Sequence, residues 1–148
     1  MREARALALS LAVAAAGCGR SGDRSPMSPT TDAAIGGEWS GTASDSSGSG
    51  QMTWSIVQSG GSFSGTFTAA DSVAQVTGRG TLSGTVTGAS VRFTLVVPAG
   101  GFDEPYGDCQ ATASGEATAS GSSLTGTYSG TNSCSAPIAS GRFTLSRQ

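Results

Sequence analysis

The sequence contains no histidine and no lysine, and only 12% of its 148 residues are charged. Without histidine the chain lacks the commonest general base and the commonest metal ligand. Without lysine it cannot form a Schiff base, and a Ser-His-Asp triad is excluded as well. No group of ligand-type side chains has the spacing of a metal site. We therefore expect a protein that is not an enzyme and that needs neither a metal ion nor another cofactor.

Positive charge is also scarce. The eight basic residues are all arginine, they form no cluster, and the formal net charge is −2. Nucleic acids are bound by basic surfaces, so we expect no nucleic-acid partner. Small residues dominate instead, with 23 Gly, 25 Ser and 17 Thr, and the length supports one ordinary domain.

The first 17 residues have the pattern of an export signal. Arg2 and Arg5 precede an uncharged apolar run over residues 6–16, which is too short to span a bilayer and matches the apolar segment of a signal peptide. The run ends in Ala15-Ala16-Gly17-Cys18, which resembles the lipobox of bacterial lipoproteins, although Ala15 stands where that family prefers leucine. An ordinary secretion signal followed by a chance cysteine is the alternative interpretation.

The lipobox resemblance implies a membrane anchor. In that family the peptide is cut before the cysteine, its sulfur takes a diacylglycerol, and the new N-terminus is acylated, typically with palmitate. Cys18 is then the lipidation site, and several acyl chains hold a protein firmly on a membrane. Gly19 in the next position resembles the residues that direct such proteins to the outer membrane of cells that have one. Localisation in the cell envelope is the resulting prediction.

Residues 18–35 are predicted to be the lipidated cysteine and a flexible tether. Residues 19–35 are rich in Ser, Thr, Pro and Asp and have almost no large apolar side chains. Such a segment cannot bury enough surface to offset the entropy lost on ordering. The folded domain is therefore expected at 36–148, after the signal peptide at 1–17.

From residue 36 onward, apolar side chains alternate with Ser and Thr at period two, which indicates β-strands rather than helices. A strand-like unit recurs, and its copies begin at Trp39, Phe63, Leu82 and Leu124. We predict eight strands, near 38–43, 51–58, 62–69, 76–87, 90–97, 109–118, 122–130 and 139–147.

Glycine-containing turns determine the predicted pairing of three hairpins. Gly60-Gly61, Gly88-Ala89 and Gly121-Ser122 have the composition of two-residue turns between antiparallel strands. Counting outward from these turns places a glycine opposite a large side chain in each hairpin: Gly65 opposite Ile56, Gly84 opposite Phe93 and Gly115 opposite Tyr128. One face of each hairpin is then apolar, and the other carries hydroxyl groups.

The junctions between the predicted strands are short enough for hairpins. A flat sheet of eight such strands would leave two edges and an apolar face exposed to water. Closure into an antiparallel up-and-down β-barrel removes both problems. We therefore predict an all-β fold with an eight-stranded barrel, and a β-sandwich is the alternative. The outer face has no aromatic girdle, which argues against a transmembrane porin.

Cys109 and Cys134 fall in register across the hairpin that is closed by Gly121-Ser122. Residues directly opposite each other are within bridging distance, and exported proteins meet an oxidising compartment. We predict a disulfide between the two cysteines. For a loop of about 25 residues it is worth roughly 3 kcal/mol in the chain-entropy model.

The apolar face of the predicted barrel supplies the candidate ligand-facing residues, which are Trp39, Trp54, Phe67, Phe93 and Tyr128. An eight-stranded barrel is just wide enough for a filled core or for one small ligand, and both interpretations stay open. The longest connection, 98–108, adds Phe102 and Tyr106 as candidate contact residues for a partner, or as a plug over the barrel mouth. Its three acidic residues match no metal-binding motif, and we interpret them as solvated charges.

Gly37-Glu38-Trp39 resembles the Gly-x-Trp signature that opens the calycin barrels, which include lipocalins, avidins and small bacterial protease inhibitors. The resemblance implies that Trp39 closes the base of the barrel and that an arginine near the C-terminus, Arg142 or Arg147, packs on it. The lipocalin Thr-Asp-Tyr segment and C-terminal helix have no counterpart, and no biotin-binding set is in place. No ligand-binding residue is therefore carried over from the family.

The predicted function is that of an exported, lipid-anchored binding module of the cell envelope. Its ligand is a small apolar molecule inside the barrel, or its partner is a protein that contacts the loops. The alternative is a structural or protective envelope protein whose barrel is filled. Protease inhibition is a further alternative, for which the sequence contains no motif.

Overall fold

The computed structural model describes residues 29–148. The predicted signal peptide at 1–17 and the predicted lipidation site Cys18 lie outside the described residues. The described part contains eight strands and no helix. The strands are β1 (Gly37–Ser44), β2 (Ser49–Ser59), β3 (Ser62–Asp71), β4 (Val76–Thr87), β5 (Ser90–Val97), β6 (Ala111–Ser120), β7 (Ser123–Asn132) and β8 (Ile138–Arg147).

The strands form one closed antiparallel barrel in which each strand pairs with the next and β8 pairs with β1. The predicted all-β, eight-stranded up-and-down barrel is therefore confirmed, and the sandwich alternative is wrong. Closure leaves no sheet edge with unpaired backbone groups, so the apolar face can be turned entirely inward. Residues 29–148 include no helix that is long and apolar enough to cross a membrane.

The three glycine turns and the pairing around them are confirmed. Gly65 lies opposite Ile56, Gly84 opposite Phe93, and Gly115 opposite Tyr128. The first turn residues, Gly60, Gly88 and Gly121, have φ angles of 58°, 57° and 59°. Glycine adopts this left-handed conformation without a steric penalty, and the resulting turn matches the twist of the two strands.

Interior glycines let neighbouring strands approach closely inside the barrel. A Cβ atom placed on Gly84 would lie 1.9 Å from the carbonyl oxygen of Arg92 and 2.6 Å from Cζ of Phe63. A Cβ atom on Gly65 would lie 1.8 Å from the carbonyl oxygen of Ser55. These glycines therefore make room both for aromatic rings and for the backbone of the next strand.

One end of the barrel is closed by the segment that leads into β1. Ile35 and Trp39 are buried there, and Nε1 of Trp39 donates a 2.8 Å hydrogen bond to the carbonyl oxygen of Ile35. The guanidinium carbon of Arg147 lies 4.5 Å from the centroid of the Trp39 ring. The same guanidinium donates to two carbonyl oxygens of the segment before β1. The arginine that packs on the tryptophan is therefore Arg147 and not Arg142.

The last four residues of the predicted tether contact the barrel. We expected flexibility as far as residue 35, but residues 32–35 pack on the barrel. Asp32 accepts a 2.8 Å hydrogen bond from the N–H of Gly88, and the Gln58 side chain accepts a 2.6 Å bond from the N–H of Ile35. The Ile35 side chain belongs to the buried core. Its burial and these hydrogen bonds offset the entropy cost of ordering the segment.

Alanine substitution at an interior glycine tests the close approach of the strands. We expect Gly84→Ala to lower the free energy of unfolding by about 2 kcal/mol or more, because its methyl group overlaps the carbonyl oxygen of Arg92. Gly36→Ala is the matched control, since the nearest atom lies 3.7 Å from its Cβ position. We expect that variant to change stability by less than about 0.5 kcal/mol. Urea unfolding measures both, and equal stability of the two variants would contradict the close approach.

Candidate ligand-binding cavity

The two ends of the barrel differ in their connections. The closed end has the three two-residue turns, whereas the opposite end has the longer loops 45–48, 72–75, 98–110 and 133–137. These four loops surround an opening that we call the mouth. A cavity of about 380 Å³ lies behind it.

The cavity is mainly apolar. The large apolar side chains that line it are Met52, Phe67, Val76, Leu95, Val97, Phe102, Tyr106, Tyr128 and Ile138. Small residues at Ala69, Gly78 and Ala111 also line it and have little or no side chain with which to fill the space. The barrel is therefore packed towards its closed end and open towards its mouth.

An aromatic cluster occupies the middle of the barrel. The ring centroid of Trp54 lies 5.0 Å from the centroids of both Phe93 and Phe143, and those two are 5.6 Å apart. All three side chains are buried. The candidate ligand-facing residues divide accordingly: Phe67 and Tyr128 line the cavity, whereas Trp39, Trp54 and Phe93 belong to the packed part of the core.

The longest loop, 98–110, folds against β4 at the mouth. Phe102 forms a bridge with Gly78, and a ring carbon of Phe102 lies 2.8 Å from the position of a Cβ on Gly78. A side chain at that position would displace the ring. Phe102 is half-buried, Tyr106 is 46% exposed, and both line the cavity. The two candidate loop contacts are therefore brought together at the mouth.

An ion pair also holds this loop on β4. Arg79 and Asp103 form a contact of 2.6 Å, and the backbone N–H of Arg79 donates to the carbonyl oxygen of Gly101. The hydrogen bond from Arg79 holds the pKa of Asp103 below its usual range. Asp103 is one of the three loop acids that the sequence suggested were solvated charges. Its side chain is 41% exposed, as expected of a solvated charge, and it also pairs with Arg79 on the barrel.

A disulfide joins the longest loop to the loop after β7. Cys109 and Cys134 are bonded, with their Cα atoms 5.6 Å apart. The predicted disulfide is therefore confirmed. The two cysteines lie opposite each other because the register of the β6–β7 hairpin continues past the ends of both strands. The N–H of Ser133 donates to the carbonyl oxygen of Gln110 just inside the bridge. Both cysteines line the cavity, so the bridge forms part of its rim.

Two carboxylate side chains at the mouth belong to no recognisable sequence motif. Asp45 follows β1, Asp71 is the last residue of β3, and both line the cavity. We did not identify either of them from the sequence. The two-residue alternation contained a signal for both, since Asp45 is in phase with the inward-facing Ala43 and Asp71 with the inward-facing Ala69.

Tyr128 connects the cavity wall to Asp45. Its hydroxyl donates a 2.8 Å hydrogen bond to Oδ2 of Asp45, and Oδ1 of Asp45 accepts a 2.7 Å bond from the N–H of Ser47. Burial raises the pKa of Tyr128 well above its usual value, and the hydrogen bond and charge of Asp45 raise it further. The hydroxyl therefore stays protonated at neutral pH and holds the carboxylate at the edge of the cavity.

Within residues 29–148, no three His, Cys, Asp or Glu side chains are grouped closely enough to hold a metal ion. Comparisons of the chain with protein-family models, with curated proteins and with solved structures found no match. The barrel is compatible with a calycin-like fold. A fold does not define a function, so the function has to be argued from the cavity.

The bond between Tyr128 and Asp45 predicts how stability changes at alkaline pH. Folded Tyr128 holds its proton more tightly than the unfolded chain, in which tyrosine ionises at about pH 10. Its contribution to stability is complete below that pH. It is lost as the pH rises further, because the unfolded state releases the proton first. The chain has no lysine to titrate in the same range.

We therefore expect the free energy of unfolding in urea to fall between about pH 10 and pH 11, and we expect this fall to be absent in Tyr128→Phe. Tyr106→Phe removes the other tyrosine and is the matched control, which should keep the fall. If Tyr128→Phe loses stability with pH as steeply as the wild type, the assignment to Tyr128 is wrong.

Proposed function

We propose that this protein is a binding module that holds a small apolar ligand in the mouth half of its barrel. The supporting observation is the cavity of about 380 Å³, which apolar and aromatic side chains line and which opens among the long loops. Pockets for small molecules are concave and mostly apolar, with volumes of roughly 300 to 1,000 Å³. The cavity lies at the lower end of that range.

The packed half of the barrel limits the size of the ligand. Trp54, Phe93 and Phe143 occupy the space that a long acyl chain would need to reach the closed end. A short alkyl chain or a small ring system matches the remaining volume. The alternative function is that of a structural envelope protein without a ligand. Such a protein would be expected to have a packed core in both halves of the barrel.

We further propose that the module is exported and anchored in the cell envelope by a lipid on Cys18. The lipobox-like residues 15–18 support this proposal, and so does the disulfide of Cys109 with Cys134, since disulfides persist in oxidising compartments.

Intact-mass spectrometry of protein taken from its own membranes tests the anchor. We expect a chain that begins at Cys18 and carries acyl groups, and we expect Cys18→Ser to abolish both the lipid and the retention in membranes. A wild-type protein with an unmodified Cys18 thiol would contradict the proposal.

A side chain that fills the cavity should abolish ligand binding. Ala111 lines the cavity, whereas its neighbour Thr112 is exposed on the outer face of β6. Ala111→Phe therefore places a ring inside, and Thr112→Phe places the same ring outside. With the neutral probe decan-1-ol, we expect the wild type and Thr112→Phe to bind equally. We expect Ala111→Phe to bind about tenfold more weakly or not at all, equivalent to roughly 1.4 kcal/mol or more.

Calorimetry is the suitable measurement, because neither tryptophan lines the cavity and their fluorescence is a poor reporter. Circular dichroism of both variants establishes that the barrel is folded. Undiminished binding by folded Ala111→Phe would place the alcohol outside the cavity. No binding by the wild type would favour the structural alternative.

A further inference from the structure

We propose that the cavity selects ligands whose apolar body carries a positively charged head group, such as a protonated alkyl amine. The inference rests on the proposed function, because it specifies the ligand class of the same cavity. The inference is drawn from the charged side chains at the mouth, since the apolar lining by itself would give no preference for a charged head group.

Asp45 and Asp71 are the charged side chains among the residues that line the cavity, and both are half-buried. Asp45 begins the loop 45–48, and Asp71 pairs with Gly50 on β2, just beyond the other end of that loop. A Cβ atom on Gly48 in that loop would lie 1.8 Å from Oδ2 of Asp71. The absence of a side chain there leaves room for the Asp71 carboxylate at the opening.

Neither carboxylate is neutralised by an arginine within residues 29–148. Oδ1 of Asp71 accepts hydrogen bonds from the N–H groups of Val73 and Ala74, at 2.7 and 2.8 Å. These bonds fix the side chain, and Oδ2 lies beside Gly48 without a hydrogen bond from residues 29–148. Asp45 is fixed in a similar way by Tyr128 and Ser47. Both carboxylates are thus held in place before a ligand arrives, which reduces the entropy cost of binding.

The loops around the mouth strengthen the negative field. They contain no arginine, and their acids are Asp45, Asp103, Glu104 and Asp108. Arg79 on β4 is already paired with Asp103. A cation is therefore attracted to the mouth, whereas a fatty-acid carboxylate is repelled from it.

Aromatic rings complete the environment for a cation. Tyr106 and Phe102 line the cavity from the loop 98–110. Ring faces attract ammonium groups, so an amine at the mouth can contact rings as well as carboxylates. The alkyl chain behind it lies against Met52, Phe67 and Leu95. This arrangement matches an amphiphile with a cationic head and a short apolar body.

Three probes with the same alkyl chain distinguish the contribution of the head group to affinity from that of the apolar body. They are decylamine, decan-1-ol and decanoate. By calorimetry at neutral pH and low salt, we expect the amine to bind about fivefold more tightly than the alcohol, as for one ion pair near water. Decanoate should bind more weakly than the alcohol. The advantage of the amine should shrink as salt is added, while the affinity for the alcohol stays unchanged.

Charge-removing variants locate the effect. Asp71→Asn and Asp45→Asn should each reduce the roughly fivefold advantage of the amine over the alcohol by about twofold, and leave the affinity for the alcohol nearly constant. Glu116→Gln is the matched control. It removes one negative charge from the outer face, where Glu116 pairs with Arg92 at 3.0 Å. This control should bind all three probes as the wild type does.

The outcomes distinguish the two proposals. If the alcohol binds and the amine binds no more tightly, the charge preference is wrong and the proposed function stands. If none of the three probes binds, the proposed function itself fails. If Asp71→Asn and Asp45→Asn keep the full advantage of the amine, the carboxylates at the mouth are not its source and the inference is overturned.

Discussion

The hydrogen-bonded seam between β1 and β8 is the interaction on which the rest of the structure depends. Along the seam, Trp39 pairs with Arg147 and Gly41 with Leu145. The carbonyl oxygen of Thr144 lies 2.0 Å from the position that a Cβ on Gly41 would take. A side chain at position 41 would force the two strands apart, and the sheet would then expose two edges and its apolar face. The pairing of β1 with β8 thus closes a sheet of short hairpins into a barrel.

The two ends of the barrel are stabilised by different interactions. At the closed end, Ile35 and Trp39 bury apolar surface, and Arg147 covers the tryptophan ring. At the mouth, where the core is not filled, the disulfide and the ion pair of Arg79 with Asp103 hold the loops instead. Covalent and polar links therefore hold the loops at the end where hydrophobic packing leaves the core unfilled.

Much of the barrel was predictable because the relevant signals are local. Alternation at period two marks the strands, and the glycine turns set a register that extends as far as Cys109 and Cys134. The cavity was not predictable in this way. Trp54 and Phe67 share a register position on adjacent strands, yet one packs into the core and the other lines the cavity. That difference depends on how rings from several strands pack together, which no single segment determines.

Two other features were missed for related reasons. Ile35 is buried, but it is a single apolar residue in a polar segment, so no periodic pattern in the sequence predicts its burial. Asp45 and Asp71 look like ordinary residues at the ends of strands. Their common position becomes evident when β1, β2 and β3 are placed side by side. Long-range juxtaposition thus creates the features on which the proposed binding rests, whereas local sequence patterns determine the barrel.

The chain joins the barrel at its closed end, through the bonds that Asp32, Gln58 and Arg147 make with neighbouring backbone. For a protein anchored at Cys18, as proposed, the intervening residues 19–31 can extend over about 45 Å at most. In that proposal the anchor and the mouth lie at opposite ends of the barrel, because the chain enters at the closed end. A ligand of the proposed module would therefore not have to pass the anchored end of the chain to reach the cavity.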